Sequence, residues 1–104
     1  MRLKDKSVNI SALCPELLDR LNWMDIKQRQ LVGSELVITS GNDSSHGPNS
    51  LHYKNRAIDT RINDWYCNVY MAARFLKELY EIFPDKDFDL IFEGDHLHIE
   101  YDPK

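Results

Sequence analysis

The sequence predicts an α+β domain in which two main helices cover a small, largely antiparallel sheet. Three observations carry that expectation. Two long segments place apolar residues at helical spacing, four short segments are rich in β-branched, aromatic and other apolar residues, and a Gly-Asp pair between the last two short segments suits a tight hairpin. The order helix, strand, loop, strand, helix, hairpin places helices and strands in separate layers rather than in alternating parallel units.

The first helix is expected from about Pro15 to Val32. Pro15 suits the first helical position, where its missing N–H costs nothing, and Glu16 complements the helix dipole. Leu17, Leu21, Met24 and Leu31 recur near helical spacing with Cys14 and Leu18 beside them, and Gly33 closes the segment. Glu35 to Ser40 then predicts a short strand stopped by Gly41, and residues 41–50 (GNDSSHGPNS) are almost pure turn chemistry, expected as a surface loop. A second strand is expected from about Arg56 to Ile62. Asn63 or Asp64 caps a second helix reaching about Phe83, with Trp65, Val69, Ala72, Leu76, Leu79 and Phe83 as its apolar stripe and Pro84 as its stop. Phe88–Glu93 and His96–Tyr101 complete the pattern as two strands, joined through Gly94-Asp95 by a turn of the II′ kind.

With 104 residues the chain forms one domain, 1–104, with no internal repeat and no linker-like change of composition. Hydrophobic residues at 42% and charged residues at 29% place it among globular chains and against disorder. Thirteen Lys and Arg against 17 Asp and Glu leave a net charge of −4, so no general basic field recruits nucleic acid. No run of about 18 apolar residues occurs, so neither a membrane span nor stable membrane association is expected. The first 13 residues interleave charged and apolar side chains without the apolar stretch of a secretory signal, which predicts synthesis in the cytoplasm without a signal peptide. Cys14 and Cys67 form no C-x-x-C pair, and both fall in helical patterns, where buried free thiols are expected.

All four histidines fall in two windows that also concentrate carboxylates. His46 and His52 precede Asp59, and Glu93, Asp95, His96 and His98 follow near the end of the chain. A His-Asp-His set offers zinc two imidazole nitrogens and a carboxylate oxygen and leaves a fourth position for water, as catalytic zinc requires. His96 and His98 share one face of their strand because side chains alternate with period two.

The stretch Ser50-Leu51-His52-Tyr53-Lys54-Asn55-Arg56-Ala57-Ile58-Asp59, followed by Asp95-His96-Leu97-His98, resembles the S-x-H-x-x-G-x-A-x-D and D-H-x-H or D-x-x-H motifs of the D-alanyl-D-alanine metallopeptidase family. That family comprises zinc carboxypeptidases and phage endolysins acting on peptidoglycan stem peptides, and its fold is shared by the amino-terminal domain of hedgehog proteins. The likeness spans about two thirds of the chain, from Glu35 to Asp102. It implies His52, Asp59 and His98 as zinc ligands and Asp95 as the general base toward the metal-activated water. His96 would stabilise the oxyanion or position the substrate. Strand parity alone would select Glu93, but turn residues are not bound by strand alternation, so Asp95 is expected as the base with Glu93 as the alternative.

Two departures from the motifs stand out. Asn55 occupies the position of the motif glycine, and asparagine tolerates the left-handed backbone better than most residues. The family's S-G-Y-R loop, whose arginine takes the substrate carboxylate, reads Ser40-Gly41-Asn42-Asp43 here, leaving Arg56, Arg61 and Arg74 as possible replacements. The resemblance implies a zinc peptidase hydrolysing peptidoglycan stem or cross-link peptides, either as a D-Ala-D-Ala carboxypeptidase or as an endopeptidase; a monomer is compatible with this reading, and the sequence does not fix the oligomeric state. An endolysin-like enzyme of this kind would act at the cell wall. The alternative is a non-catalytic zinc-binding interaction domain of the hedgehog type, suggested by Ser-Leu-His-Tyr, Arg-Ala-Ile-Asp and the missing loop arginine.

Overall fold

A computed structural model describes residues 1–41, 55–66, 68–83 and 86–103. Five strands form one sheet: β1 Arg2–Leu3, β2 Val37–Ser40, β3 Ala57–Arg61, β4 Phe88–Phe92 and β5 His96–Tyr101, in the order β1-β2-β3-β5-β4. All neighbouring pairs are antiparallel except β1 and β2. The helices are α1 Pro15–Leu18, α2 Leu21–Val32 and α3 Asn68–Ile82, with α2 packed on α3. The expected α+β class is the observed one. Among the described residues, no helix is long and apolar enough to cross a membrane.

Alternation along the strands divides the sheet into two faces. Ile38, Ile58, Thr60, Leu97, Ile99, Leu90 and Phe88 are buried and join the core built by the helices. Each fully buried Leu, Ile or Phe side chain contributes about 1.5–3 kcal/mol relative to exposure. The opposite face carries Asp59 and Arg61 of β3 and His96, His98 and Glu100 of β5. Burial thus fixes the register: a slip of one residue would drive the charged set into the helices.

The first predicted helix is divided. Arg20 sits at φ −102°, ψ −7°, and its N–H bonds back to Leu17 in a tightened turn before α2 begins. Its guanidinium holds the break by donating to the Ile82 and Glu16 carbonyls at 3.0 and 2.6 Å and by lying over the Phe88 ring. The core-facing stripe of α1 and α2 is Leu17, Leu21, Met24 and Gln28, with Leu31 only partly buried. Gln28 is tolerated there because its amide donates to the Glu35 carbonyl at 2.8 Å. Gly33, at φ 76°, ends α2 as expected.

The second helix begins later than its cap signals suggested, after a turn in which the Trp65 N–H bonds to the Ile62 carbonyl. Its buried stripe is Ala72, Phe75 and Leu79, continued by Phe83; Val69 faces outward and Leu76 is only partly buried. Trp65 packs edge-on against Phe75, with ring centroids 5.4 Å apart, so Phe75 belongs to the buried stripe that the sequence pattern did not include. Pro84, the expected stop, and Cys67 lie outside the described residues. The half-buried Cys14 thiol is free, and burial pushes its pKa up.

Candidate metal and proton-transfer site

The site rests on the β3–β5 ladder. Asp59 lies directly opposite His98, and Arg61 opposite His96. Asp59 Oδ1 is 3.0 Å from His98 Nδ1, and both side chains are largely buried, 13% and 16% exposed. The Asp59 hydrogen bond raises the His98 pKa above its ordinary 6.5, against the opposing effect of burial. Two residues 39 apart in the chain therefore already stand side by side.

His96 occupies the next position on the same face, with a carboxylate at each ring nitrogen. Nδ1 lies 2.7 Å from Asp95 Oδ1, while Nε2 lies 3.4 Å from Glu93 Oε2 and 3.9 Å from Asp59 Oδ1. The hairpin produces this arrangement. The Glu93 N–H bonds to the His96 carbonyl across a two-residue turn, with Gly94 at φ 86° as its first central residue. Asp95 does not share that left-handed conformation, consistent with the II′ geometry that the Gly-Asp pair predicts. Asp95 is mostly exposed, and the hydrogen bond from His96 holds its carboxyl below the ordinary carboxylate range.

Of the ligand set implied by the sequence, Asp59 and His98 are brought together, while His52 lies outside the described residues, as does His46. Asn55 marks the edge of that gap. It has φ 58°, the left-handed conformation expected where the motif has glycine, and its carbonyl accepts the Cys14 N–H at 2.8 Å.

Glu100 was not among the expected site residues. It follows His96 and His98 by the same period of two, places Oε1 3.5 Å from His98 Nε2 and is 18% exposed. Were His98 to bind a metal through Nδ1, giving up the proton directed at Asp59, Glu100 would be the acceptor for its Nε2–H, a common outer-shell arrangement for metal-binding histidines. Extending the strand-parity rule by one further step along β5 would have found it. Glu100 also belongs to a group with Asp89 and Asp102 whose ligand oxygens lie within 4.8 Å of one another. Asp89 faces Glu100 across the β4–β5 ladder.

The imidazole and carboxylate donors suit zinc better than a hard cation. Two ligand atoms about 2.0–2.1 Å from one tetrahedral ion lie about 3.3 Å apart. The 3.0 Å separation of Asp59 Oδ1 and His98 Nδ1 is close to that span, so these side chains fit the ion with little rearrangement. No protein-family model matches the chain, and comparison with curated proteins and with solved structures gives no significant match.

Proposed function

We propose that the protein is a zinc-dependent hydrolase of peptidoglycan peptides, with Asp59, His98 and the sequence-implied His52 as metal ligands. The observation that supports this most is the β3–β5 register, which sets Asp59 against His98 at 3.0 Å on the face that also carries His96. When bound, zinc would polarise the scissile carbonyl and lower the pKa of a water at the open position.

The chain's own residues supply orientation and proton transfer. With a metal held at Nδ1, Glu100 would accept the His98 Nε2–H and so orient the ring. His96 donates toward the developing oxyanion, its ring held by Asp95 at Nδ1. Glu93 lies against the Nε2 edge that also faces Asp59, so it is the carboxylate on the ligand side, and we assign it the proton transfer to the leaving amine. Asp95, to which the sequence motif gives that role, acts here through His96.

The test is incubation of the zinc-loaded protein with purified muropeptides, read by product mass and by release of free amino groups. Release that disappears in His98→Ala and on chelation supports the proposal. Release indifferent to both contradicts it. The non-catalytic zinc-binding reading draws on the stretch Ser40-Gly41-Asn42-Asp43, which lacks the arginine of the family's loop. One bound zinc with no cleavage of any muropeptide would favour it.

A further inference from the structure

β4 ends the sheet order β1-β2-β3-β5-β4, and its register with β5 decides which of its backbone groups face outward. The Glu93 N–H bonds to the His96 carbonyl and the Asp102 N–H to the Asp87 carbonyl, so Asp87, Asp89, Ile91 and Glu93 direct their backbone groups at β5. Alternation then turns the N–H and C=O groups of Phe88, Leu90 and Phe92 away from it. Among the described residues, no backbone group bonds to those three from the outer side. Edge strands ordinarily carry lysine, proline or a bulge, or stay very short, which deters pairing with another chain. The opposite edge follows that rule, since β1 has two residues, one of them Arg2, with Lys4 next. β4 does not. Its residues, Phe-Asp-Leu-Ile-Phe, include no lysine and no proline and keep an unbroken register, and Ile91 and Phe92 stay 41% and 39% exposed.

We infer that β4 is a homodimer interface, in which two copies of the chain join edge to edge by antiparallel pairing of β4 with β4 across a two-fold axis at Leu90. A second copy is the occupant because this strand complements itself. With the axis at Leu90, Leu90 pairs with Leu90 and Phe88 with Phe92 of the second copy, so every outward residue of each strand exchanges hydrogen bonds with an outward residue opposite. Asp89 then faces Ile91 of the second copy, and no like charges meet within the strand. Moving the axis by one residue either way turns Phe88 or Phe92 toward residues outside the strand and sets Asp89 against Asp89 or Glu93 of the second copy. The two-fold axis of an antiparallel pair is perpendicular to the sheet, so both site faces point the same way, with the two β5 strands about 14 Å apart, three strand spacings. Only Asp87 meets an acidic residue, Glu93 of the second copy, at each end of the pair. That repulsion and the net charge of −4 make the dimer tighten with added salt, the reverse of an interface held by ion pairs. A strand pair of this length falls short of the about 1,200 Å² of a standard interface, which places the dissociation constant in the range of about 1 μM to 1 mM. The pairing needs neither zinc nor catalysis.

The experiment is sedimentation equilibrium of the metal-free full chain up to about 1 mM, which should show a monomer–dimer equilibrium that tightens as salt is raised. Amide exchange followed by NMR over the same concentrations reads the register directly. Exchange should slow at Phe88, Leu90 and Phe92 as the dimer fills, and change little at Asp89 and Ile91, whose amides already bond to β5. Phe92→Pro removes an outward donor and leaves the β5 ladder intact. Each dimer then loses two hydrogen bonds by symmetry, so the dissociation constant should rise by about 5- to 150-fold. If Phe92→Pro does not fold, the exchange pattern of the native protein decides by itself. A chain still monomeric at about 1 mM would overturn the inference. So would a dimer indifferent to a folded Phe92→Pro, equal slowing at all β4 amides, or slowing confined to the exposed face of α3 around Tyr66 and Tyr70. A foreign extended peptide that slows the outward β4 amides while the chain alone stays monomeric would overturn it as well.

Discussion

Zinc removal should have a large effect on stability, because the metal would bind side chains from two strands that the unfolded chain does not hold together. A ligand present at 1,000 times its dissociation constant and bound only by the folded state stabilises it by about 4.1 kcal/mol. In a domain of about 100 residues, each kcal/mol moves the melting temperature by about 4–8 °C. Zinc at that excess should therefore raise it by about 16–33 °C over chelated protein in differential scanning calorimetry. Asp59→Asn retains the side-chain shape while removing the anionic donor 3.0 Å from His98 Nδ1. Loss of a direct ligand should weaken zinc by at least about 100-fold, the upper end of what outer-shell partners cost. At the same zinc concentration only about 1.4 kcal/mol of stabilisation remains, a rise of about 6–11 °C. An unchanged melting temperature on chelation, or the full rise in Asp59→Asn, would refute the reasoning.

Further expectations concern pH, the proton-transfer residues and the framework. Because Asp59 favours the protonated form of His98 and an imidazolium cannot ligate, zinc-induced stabilisation should shrink as pH is lowered from 8 to about 6; calorimetry across that range checks it. Glu93→Gln should reduce kcat by about 10²–10⁴-fold, the usual contribution of general acid–base catalysis, and more than Asp95→Asn, which perturbs only the orientation of His96; steady-state rates on muropeptides decide the order. Asp25 ties α2 to the start of β2 by accepting the Leu36 N–H at 2.8 Å and an Arg29 N–H at 3.0 Å. Burial pushes its carboxyl up, but these bonds outweigh it and leave the pKa below the ordinary 3.8. Its stabilisation is therefore fully present above about pH 3.8 and is lost as pH falls through the lowered folded value. Asp25→Asn should cost about 1–3 kcal/mol near pH 7, with the difference from the native protein closing in strong acid, as urea denaturation at several pH values would measure.

Period-two alternation made the β5 face legible, because His96 and His98 had to point together and the Gly94-Asp95 turn determined which strand they faced. The opposition of Asp59 and His98 follows from the same rule once β3 and β5 are neighbours, an adjacency that only the motif pairing suggested. Glu100 needed one further step along the same alternation. Other features depend on packing that a local pattern does not contain. The break at Arg20 exists because its guanidinium reaches carbonyls on two helical segments and an aromatic ring on the sheet. The buried stripe of α3 leaves Val69 exposed and buries Phe75 against Trp65, a tertiary contact that helical spacing alone does not contain. A strand as short as β1 has no periodicity to detect; it forms because Arg2 and Lys4 donate their N–H groups to the edge of β2.

X-ray absorption at the zinc K-edge of the loaded protein probes the coordination most directly. The expected spectrum has imidazole scattering from two rings, first-shell nitrogen and oxygen at about 2.0–2.2 Å and no sulfur, and it loses one ring in His98→Ala. Sulfur at about 2.3 Å, or an imidazole shell unchanged by His98→Ala, would contradict the site built on Asp59 and His98.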